Sequence, residues 1–429
     1  MRLFGYMRQW SKKEFTRNSI TLLSANTLAQ LITFAVYPII TRLYSAQELG
    51  VLNLWLSIIG VLAIVSTGRY EPAIVMEKDD RGSSALIKLT LLINVSFLAV
   101  NQLIFTLFAH PIASCFTSPE AIEPWLPLIP VMVFLAGLWQ TLNNYHIRHK
   151  HYWAIGGYHL THSSLNAVFK VLFGHAGMLR SGLILSTLIA YGAALIVPIS
   201  RIKFKVKEFL TFDGATIKSM ARKYANLPKF DIPRSVSNTL ACNLPLLILP
   251  LSFGMDQIGL FSLALMIGFC PVNLYANSMM QVLYKTIVEK QQNQEKCIPF
   301  TARFCRRTAL ALLPFFVLFF FIAEWFFGFL FGADWMQAGI YFKMLLPWLF
   351  VLTMSSSLGF IPTLFFRQRT AMIIEFTYIL LRVLALCIGI WLKDFSYAIL
   401  LFGIVSAVMV SIQLVWYWTL LKNNEPCQK

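Results

Sequence analysis

Polar and charged side chains recur at helical spacing within segments that are otherwise apolar. His159, His162, Asn166 and Lys170 follow one another at intervals of three or four residues, and on a helix this spacing places all four on one face. The lysine supplies a cation, and the asparagine supplies a neutral donor and acceptor. The histidines add positive charge or carry a proton. This face therefore predicts a site for a polar, anionic group.

Four more apolar segments carry polar faces of this kind, and Arg382 is the second cation that lies well inside such a segment. A charge at this depth costs at least about 2.5–3.5 kcal/mol, so Lys170 and Arg382 are the strongest candidates for function. Structural roles stay open, because Arg382 can pair with Glu375 and amide faces also hold helices together. The four faces are Asn26, Gln30, Thr33 and Tyr37; Asp231, Arg234, Asn238 and Cys242; Asn273, Asn277 and Gln281; and Glu375, Tyr378 and Arg382.

Twelve segments of about 20 residues are apolar enough to cross the roughly 30 Å hydrocarbon core of a bilayer. Most of the 36 Lys and Arg residues lie in alternate loops and at the two ends of the chain. Because Lys and Arg are retained in the cytoplasm, we expect an all-α integral membrane protein with twelve transmembrane helices and both termini cytoplasmic. The predicted spans are 19–40, 51–68, 85–108, 125–145, 154–175, 180–200, 232–252, 259–282, 308–331, 342–364, 371–392 and 396–420.

The composition excludes a soluble globular protein, since 57% of the residues are hydrophobic and only 13% are charged. The formal charge of +17 is explained by loops that face anionic lipid headgroups, so no nucleic-acid partner is expected. The histidine-rich run 145–151 has basic neighbours and no acidic or thiol ligands, so we expect no metal and no other cofactor. The phosphate-binding pattern G-x-x-x-x-G-K-[ST] does not occur, and we therefore expect no ATP hydrolysis.

The chain is predicted to divide into two halves of six helices each, 1–200 and 232–429. A basic cytoplasmic linker at 201–231 joins them. Within this linker, an amphipathic helix is expected near 215–226, on the membrane surface.

Two short sequence matches indicate that the halves are repeats. The tetrapeptide NTLA at 26–29 recurs at 238–241, and the segment 47–52 is echoed by 256–261. The matches fall in helices of equal predicted orientation. They suggest parallel repeats, related by an axis along the membrane normal, around a central cavity.

Four runs, taken in order along the chain, resemble the Wzx-type polysaccharide flippases of the multidrug/oligosaccharidyl-lipid/polysaccharide exporter superfamily. The resemblance covers the whole chain at matching positions. Ala46 stands at a position where the family often has proline. The resemblance therefore depends on the order of the runs along the chain and not on any single run. The runs are TRLYSAQELG at 41–50, GRYEPAIV at 68–75, LPKF at 227–230 and FGADWMQAG at 331–339.

The resemblance implies a multi-pass flippase of the bacterial inner membrane, and not an enzyme. It would move an undecaprenyl-pyrophosphate-linked oligosaccharide, an O-antigen or similar polysaccharide repeat unit, from the cytoplasmic to the periplasmic leaflet by alternating access. Besides membrane lipids, a polysaccharide polymerase and a chain-length regulator are candidate partners. Lys170, Arg382 and Arg234 would then bind the pyrophosphate through charge-assisted bonds. The amides that would contact sugar are Asn26, Gln30, Asn166, Asn238, Asn273 and Asn277.

The driving force and two other functions stay open. An inside-negative membrane potential pushes an anionic pyrophosphate outward, at about 2.3 kcal/mol per charge and 100 mV. A cation or drug antiporter of the same superfamily should have an acidic interior, whereas this interior is basic. A membrane polymerase or glycosyltransferase needs a long outer loop with catalytic residues, and no predicted outer loop exceeds about 15 residues. Ion antiport is the alternative drive, with carriers among Glu375, Asp231, Glu324, His159 and His162.

Overall fold

The computed structural model describes residues 24–202, 213–293, 295–365 and 367–423, without the side chains of 277, 278, 281, 282 and 292. Within this part of the chain there is no strand, and each of the twelve predicted spans corresponds to one long helix, which confirms the all-α prediction. The helices are α1 (24–43), α2 (Ala46–Val65), α3 (Asp80–Leu107), α4 (Ile129–Arg148), α5 (Tyr152–His175), α6 (Leu179–Ala194), α7 (Ile232–Ile248), α8 (Met255–Gln292), α9 (Ile298–Phe331), α10 (Met336–Ser356), α11 (Gln368–Trp391) and α12 (Phe395–Asn423).

Most of these helices are apolar enough to cross a membrane. With their short helical extensions, nine helices in the described residues meet that requirement by length and composition. The three others are α1, α5 and α7. Two of the five predicted polar faces lie on helices that do meet the requirement, α8 and α11, but each of these three also carries one. Polar faces within a bilayer are tolerated where protein or water covers them, so these three helices are the places to look for a polar site.

The chain forms two compact units, Met1–Leu247 and Ile248–Lys429. Besides α1 to α7, the first unit contains several short helices, among them Glu71–Met76 (the loop helix) and Gly214–Lys223 (the linker helix). The linker helix begins where the Asp213 side chain accepts a hydrogen bond from the Thr216 amide at 3.1 Å, and it packs on α3. The division into two six-helix halves stays a prediction.

One end of the first unit is held together by charged side chains. Arg148, at the end of α4, donates to the Asp80 carboxylate at 2.7 Å and to main-chain carbonyls that follow the loop helix, among them that of Glu77. Lys223 of the linker helix pairs with the Glu77 carboxylate. The hydrogen bond from Lys223 lowers the pKa of Glu77 to about 2, although burial opposes this shift. These contacts fix the linker helix and the loop helix to α3 and α4.

The run TRLYSAQELG forms the turn between α1 and α2. Ser45 and Glu48 cap α2 reciprocally, since each side chain accepts a hydrogen bond from the main chain of the other residue. Just before this cap, the buried Tyr44 hydroxyl donates to the Lys170 carbonyl oxygen at 2.8 Å. A Cβ atom at Gly182 would lie 2.4 Å from that hydroxyl, so α6 needs a glycine there. Tyr44 therefore joins α1 to both α5 and α6.

Helices α1 and α5 run parallel and touch at both ends. At one end a Cβ atom on Gly156 would lie 2.9 Å from the Ala25 Cβ, and at the other a Cβ atom on Gly174 would lie 2.9 Å from Leu43. The glycines let the two helices approach closely. The polar face of α5 is thus carried on a tightly packed pair of helices.

In the second unit, α10 is the central helix. It packs against α8, α9 and α12, and it is the helix on which α8 and α9 mainly pack. Gly339 allows the close approach to α9, because a Cβ atom there would lie 2.7 Å from the Ala323 carbonyl oxygen. Gly332, at a φ of +113°, ends α9 in a conformation that favours glycine. The run FGADWMQAG therefore shapes the α9–α10 connection.

Candidate functional site

The polar face of α5 contains a buried lysine. Lys170 is 7% exposed, and the structure gives its ammonium no hydrogen bond or ion pair within the described residues. One turn earlier, the buried Asn166 Oδ1 has no hydrogen-bond partner, and the same is true of the His162 Nε2 atom. Buried polar atoms without partners are costly and call for an explanation. A polar ligand or water that satisfies them is the direct one.

Aromatic rings hold the two histidines of this face. The His159 ring meets the edge of Trp139, on α4, with 5.4 Å between ring centroids, and the His162 ring meets Tyr191, on α6, at 5.1 Å. Tyr158 stacks on Trp139 and lies beside both histidines. The ring contacts fix the imidazoles, so the α5 face is a rigid array of polar groups.

Arg382 has a different environment in the second unit. It is 5% exposed, its Nε donates to the Ser406 hydroxyl at 2.9 Å, and a second guanidinium nitrogen donates to the Tyr378 hydroxyl. Its guanidinium also lies 4.8 Å from the ring centroids of Trp348 and Phe402. Lys170 and Arg382 are therefore both buried, but partners surround Arg382 on α10, α11 and α12.

Asp231 and Arg234 are brought together at the start of α7. The Asp231 carboxylate accepts from Arg234 at 2.7 Å and from Arg69 Nε at 2.8 Å. Arg69 also donates to Ser235 and pairs with Glu71. Burial raises the pKa of Asp231, but the hydrogen bonds from Arg234 and Arg69 outweigh it and leave this pKa below its usual value. Residues of the run GRYEPAIV thus meet the residues that directly follow the run LPKF in one charge cluster.

The remaining predicted residues are spread over several helices. Glu324 pairs with Lys343 across α9 and α10. Gln30 is half-buried on α1, and the Asn277 side chain lies outside the described residues. Four others are exposed, namely Asn26, Asn238, Asn273 and Glu375.

Several residues that contact these sites could not be predicted from the helical spacing of polar residues. Arg69 lies in a turn at a φ of +55°, directly after Gly68 at +63°, and its position in the run GRYEPAIV was the one available signal. Trp139, Tyr191 and Ser406 lie on neighbouring helices, and no pattern within α5 or α11 points to them.

Comparisons with known proteins agree with this architecture. A family model described as a polysaccharide biosynthesis protein matches residues 39–339. A multidrug resistance MATE family transporter of the MOP superfamily, in an inward-facing conformation, has a TM-score of 0.69 at 14% identity, over 96% of this chain and 99% of that chain. The lipid II flippase MurJ, in an inward closed conformation, has a TM-score of 0.71 at 12% identity, over 94% of this chain and 90% of that chain. These identities show a shared fold, and no curated protein matches the sequence.

Proposed function

The chain belongs to the polysaccharide biosynthesis protein family, and we propose that it is a flippase for a lipid-linked oligosaccharide. The proposed substrate is an undecaprenyl-pyrophosphate-linked repeat unit, of O-antigen or a similar polysaccharide. It passes from the cytoplasmic to the periplasmic leaflet of a bacterial inner membrane, with both protein termini in the cytoplasm. Membership of the family supports a role in polysaccharide formation, and the fold supports transport.

The observation that carries the proposal is the Lys170 ammonium, buried and without a partner in the described residues. A pyrophosphate supplies the anionic partner that this ammonium lacks. The attraction between the two is stronger in a protein interior than in water. Asn166 Oδ1 and His162 Nε2, also unpartnered, suit hydroxyls of the first sugars. The isoprenoid chain stays in the bilayer, since the polar face of α5 has no apolar surface on which it could pack.

We assign different roles to the two buried cations. Lys170 makes the direct contact with the pyrophosphate. Arg382 donates to two hydroxyls and faces aromatic rings, so its guanidinium has less need of an anionic ligand than the Lys170 ammonium. Arg234 is exposed, and its charge is balanced by Asp231, so its contribution is smaller.

The membrane potential is the proposed drive. Two carboxylates considered as ion carriers, Glu324 and Asp231, are already paired with cations, so an ion carried by either would have to compete with an existing partner. Glu375, His159 and His162 are the carriers that an ion-driven mechanism would use.

The test is flipping of a fluorescent polyprenyl-pyrophosphate oligosaccharide in proteoliposomes. We expect Lys170→Met to abolish flipping, Lys170→Arg to retain part of it, and Lys422→Met, at an exposed position near the end of α12, to leave it unchanged. An inside-negative potential should accelerate outward flipping without an ion gradient. Full activity of correctly folded Lys170→Met would refute the site, and a response to a proton or sodium gradient alone would refute the drive.

A further inference from the structure

The second unit contains a cavity that the proposed transport does not use. It lies between the adjoining ends of α8 and α9 and has a volume of about 640 Å³, within the range of about 300–1,000 Å³ that is usual for small-ligand sites. Side chains of both helices line it. Its cationic lining is Lys290, Arg303 and Arg307.

The three cations differ in how their charges are balanced. Lys290 pairs with Glu295 at 2.6 Å. Arg303 and Arg307 follow one another by one helical turn on α9, and neither has a carboxylate partner among the described residues. Among the described residues, the Arg303 side chain makes one hydrogen bond, a long one of 3.4 Å to the Pro299 carbonyl. Two neighbouring arginines that lack a counter-ion match a phosphate group.

The rest of the lining is apolar or hydrogen-bonded internally. Phe300, Phe304 and Leu312 line the cavity, and so do Tyr275 and Thr308, whose hydroxyls are 2.6 Å apart. These two hydroxyls satisfy each other. The cavity therefore combines cations with apolar side chains, which fits an amphiphile better than a free ion.

The position along α9 matches the headgroup level of a bilayer. Arg307 directly precedes the run 308–331, in which Glu324 is the one charged residue. Next to the cavity, Leu310 is 63% exposed and Leu313 is 47% exposed. Among the nine described candidate spans, α9 has the smallest buried share, 11% of its apolar window. An apolar surface of this kind within a membrane is covered by acyl chains.

We propose that this cavity binds an anionic phospholipid of the surrounding bilayer. The lipid phosphate lies against Arg303 and Arg307, and its acyl chains follow the exposed surface of α9 past Leu310 and Leu313. Basic pockets between transmembrane helices bind anionic headgroups in this way. The lipid is a resident ligand of the second unit and not the transported substrate.

The test is native mass spectrometry of the full-length protein with phosphatidylglycerol or phosphatidylcholine of identical acyl chains. We expect wild type to retain phosphatidylglycerol preferentially and Arg307→Ala or Arg303→Ala to weaken its binding about five-fold, the equivalent of about 1 kcal/mol per basic side chain. Arg306→Ala is the matched control, since Arg306 is adjacent and equally charged but does not line the cavity. Arg307→Lys should keep part of the preference for phosphatidylglycerol. This result would show that the weaker binding of Arg307→Ala does not come from misfolding.

Three results would each overturn the proposal. An equal loss in Arg306→Ala would mean that only the general positive charge of this region matters. Displacement of phosphatidylglycerol by millimolar inorganic phosphate would assign the cavity to a free anion. Displacement by equimolar polyprenyl pyrophosphate, with the same dependence on Arg307, would assign it to the transported class of lipid.

Discussion

The two buried cations should respond in opposite ways to replacement by methionine. Lys170 has no partner in the described residues, so Lys170→Met removes a buried charge and keeps the length of the side chain. Insertion scales put the cost of such a charge at about 2.5–3.5 kcal/mol. We expect a gain of about 2–3 kcal/mol, which at about 2 °C per kcal/mol for a unit of this size raises Tm by about 4–6 °C.

Arg382→Met should lower Tm, although it removes the same kind of charge. Its two hydrogen bonds to hydroxyls are worth about 1.5–3 kcal/mol each, and its ring contacts add up to about 2 kcal/mol. These contacts sum to about 3–8 kcal/mol, and subtracting the relieved charge penalty of about 2.5–3.5 kcal/mol leaves a loss of up to about 5 kcal/mol. The Tyr378 and Ser406 hydroxyls would also be left without this donor.

The assay is thermal unfolding of purified variants in one detergent and lipid mixture, followed by intrinsic tryptophan fluorescence, with Lys422→Met as the control that should not shift. A stable but inactive Lys170→Met is the signature of a residue kept for binding at the expense of stability. If Lys170→Met instead unfolds at a lower temperature than wild type, the ammonium is satisfied in the folded protein and the argument for a ligand there fails.

Three further predictions concern the first unit. Because the pKa of Glu77 falls from 4.5 in the unfolded chain to about 2, its pairing with Lys223 stabilises fully above about pH 4.5 and is lost as the pH falls towards 2. The Tm difference between wild type and Glu77→Gln should therefore shrink between pH 5 and pH 3, and a constant difference would contradict this. A double-mutant cycle of Arg69→Gln and Asp231→Asn should give a coupling of about 0.5–3 kcal/mol in thermal unfolding, whereas simple additivity would mean that the cluster is not coupled. Gly182→Ala should lower Tm, because the new Cβ atom would clash with the Tyr44 hydroxyl. An unchanged Tm would show that Tyr44 can move aside at little cost in stability.

The number and order of the long helices were predictable from hydropathy, because bilayer thickness fixes the length of an apolar segment. The ends of the helices were less predictable. Helix α8 continues to Gln292 and α9 begins at Ile298, although the apolar runs were expected at 259–282 and 308–331. Hydropathy reports where the membrane ends, whereas helical hydrogen bonding continues through polar residues beyond it. The family inferred from the four runs and the all-α membrane fold inferred from hydropathy are confirmed.

The site was predictable only where one helix determines it. The shared face of His162, Asn166 and Lys170 follows from the helical period alone. The enclosure of Arg382 depends on residues of other helices, and the contact of Arg69 with Asp231 depends on a left-handed turn. Such contacts between distant segments leave no periodic signal in the sequence.

The paired contacts between α1 and α5 have a mechanical consequence. The number of residues that separates Ala25 from Leu43 on α1 equals the number that separates Gly156 from Gly174 on α5, and it corresponds to about 27 Å at 1.5 Å per residue. Because the two contacts are equally far apart on both helices, they oppose sliding of one helix along the other, and the pair moves as one rigid body. Any rotation of α1 must therefore also move Lys170 on α5, so the position of the buried ammonium depends on the orientation of the α1–α5 pair.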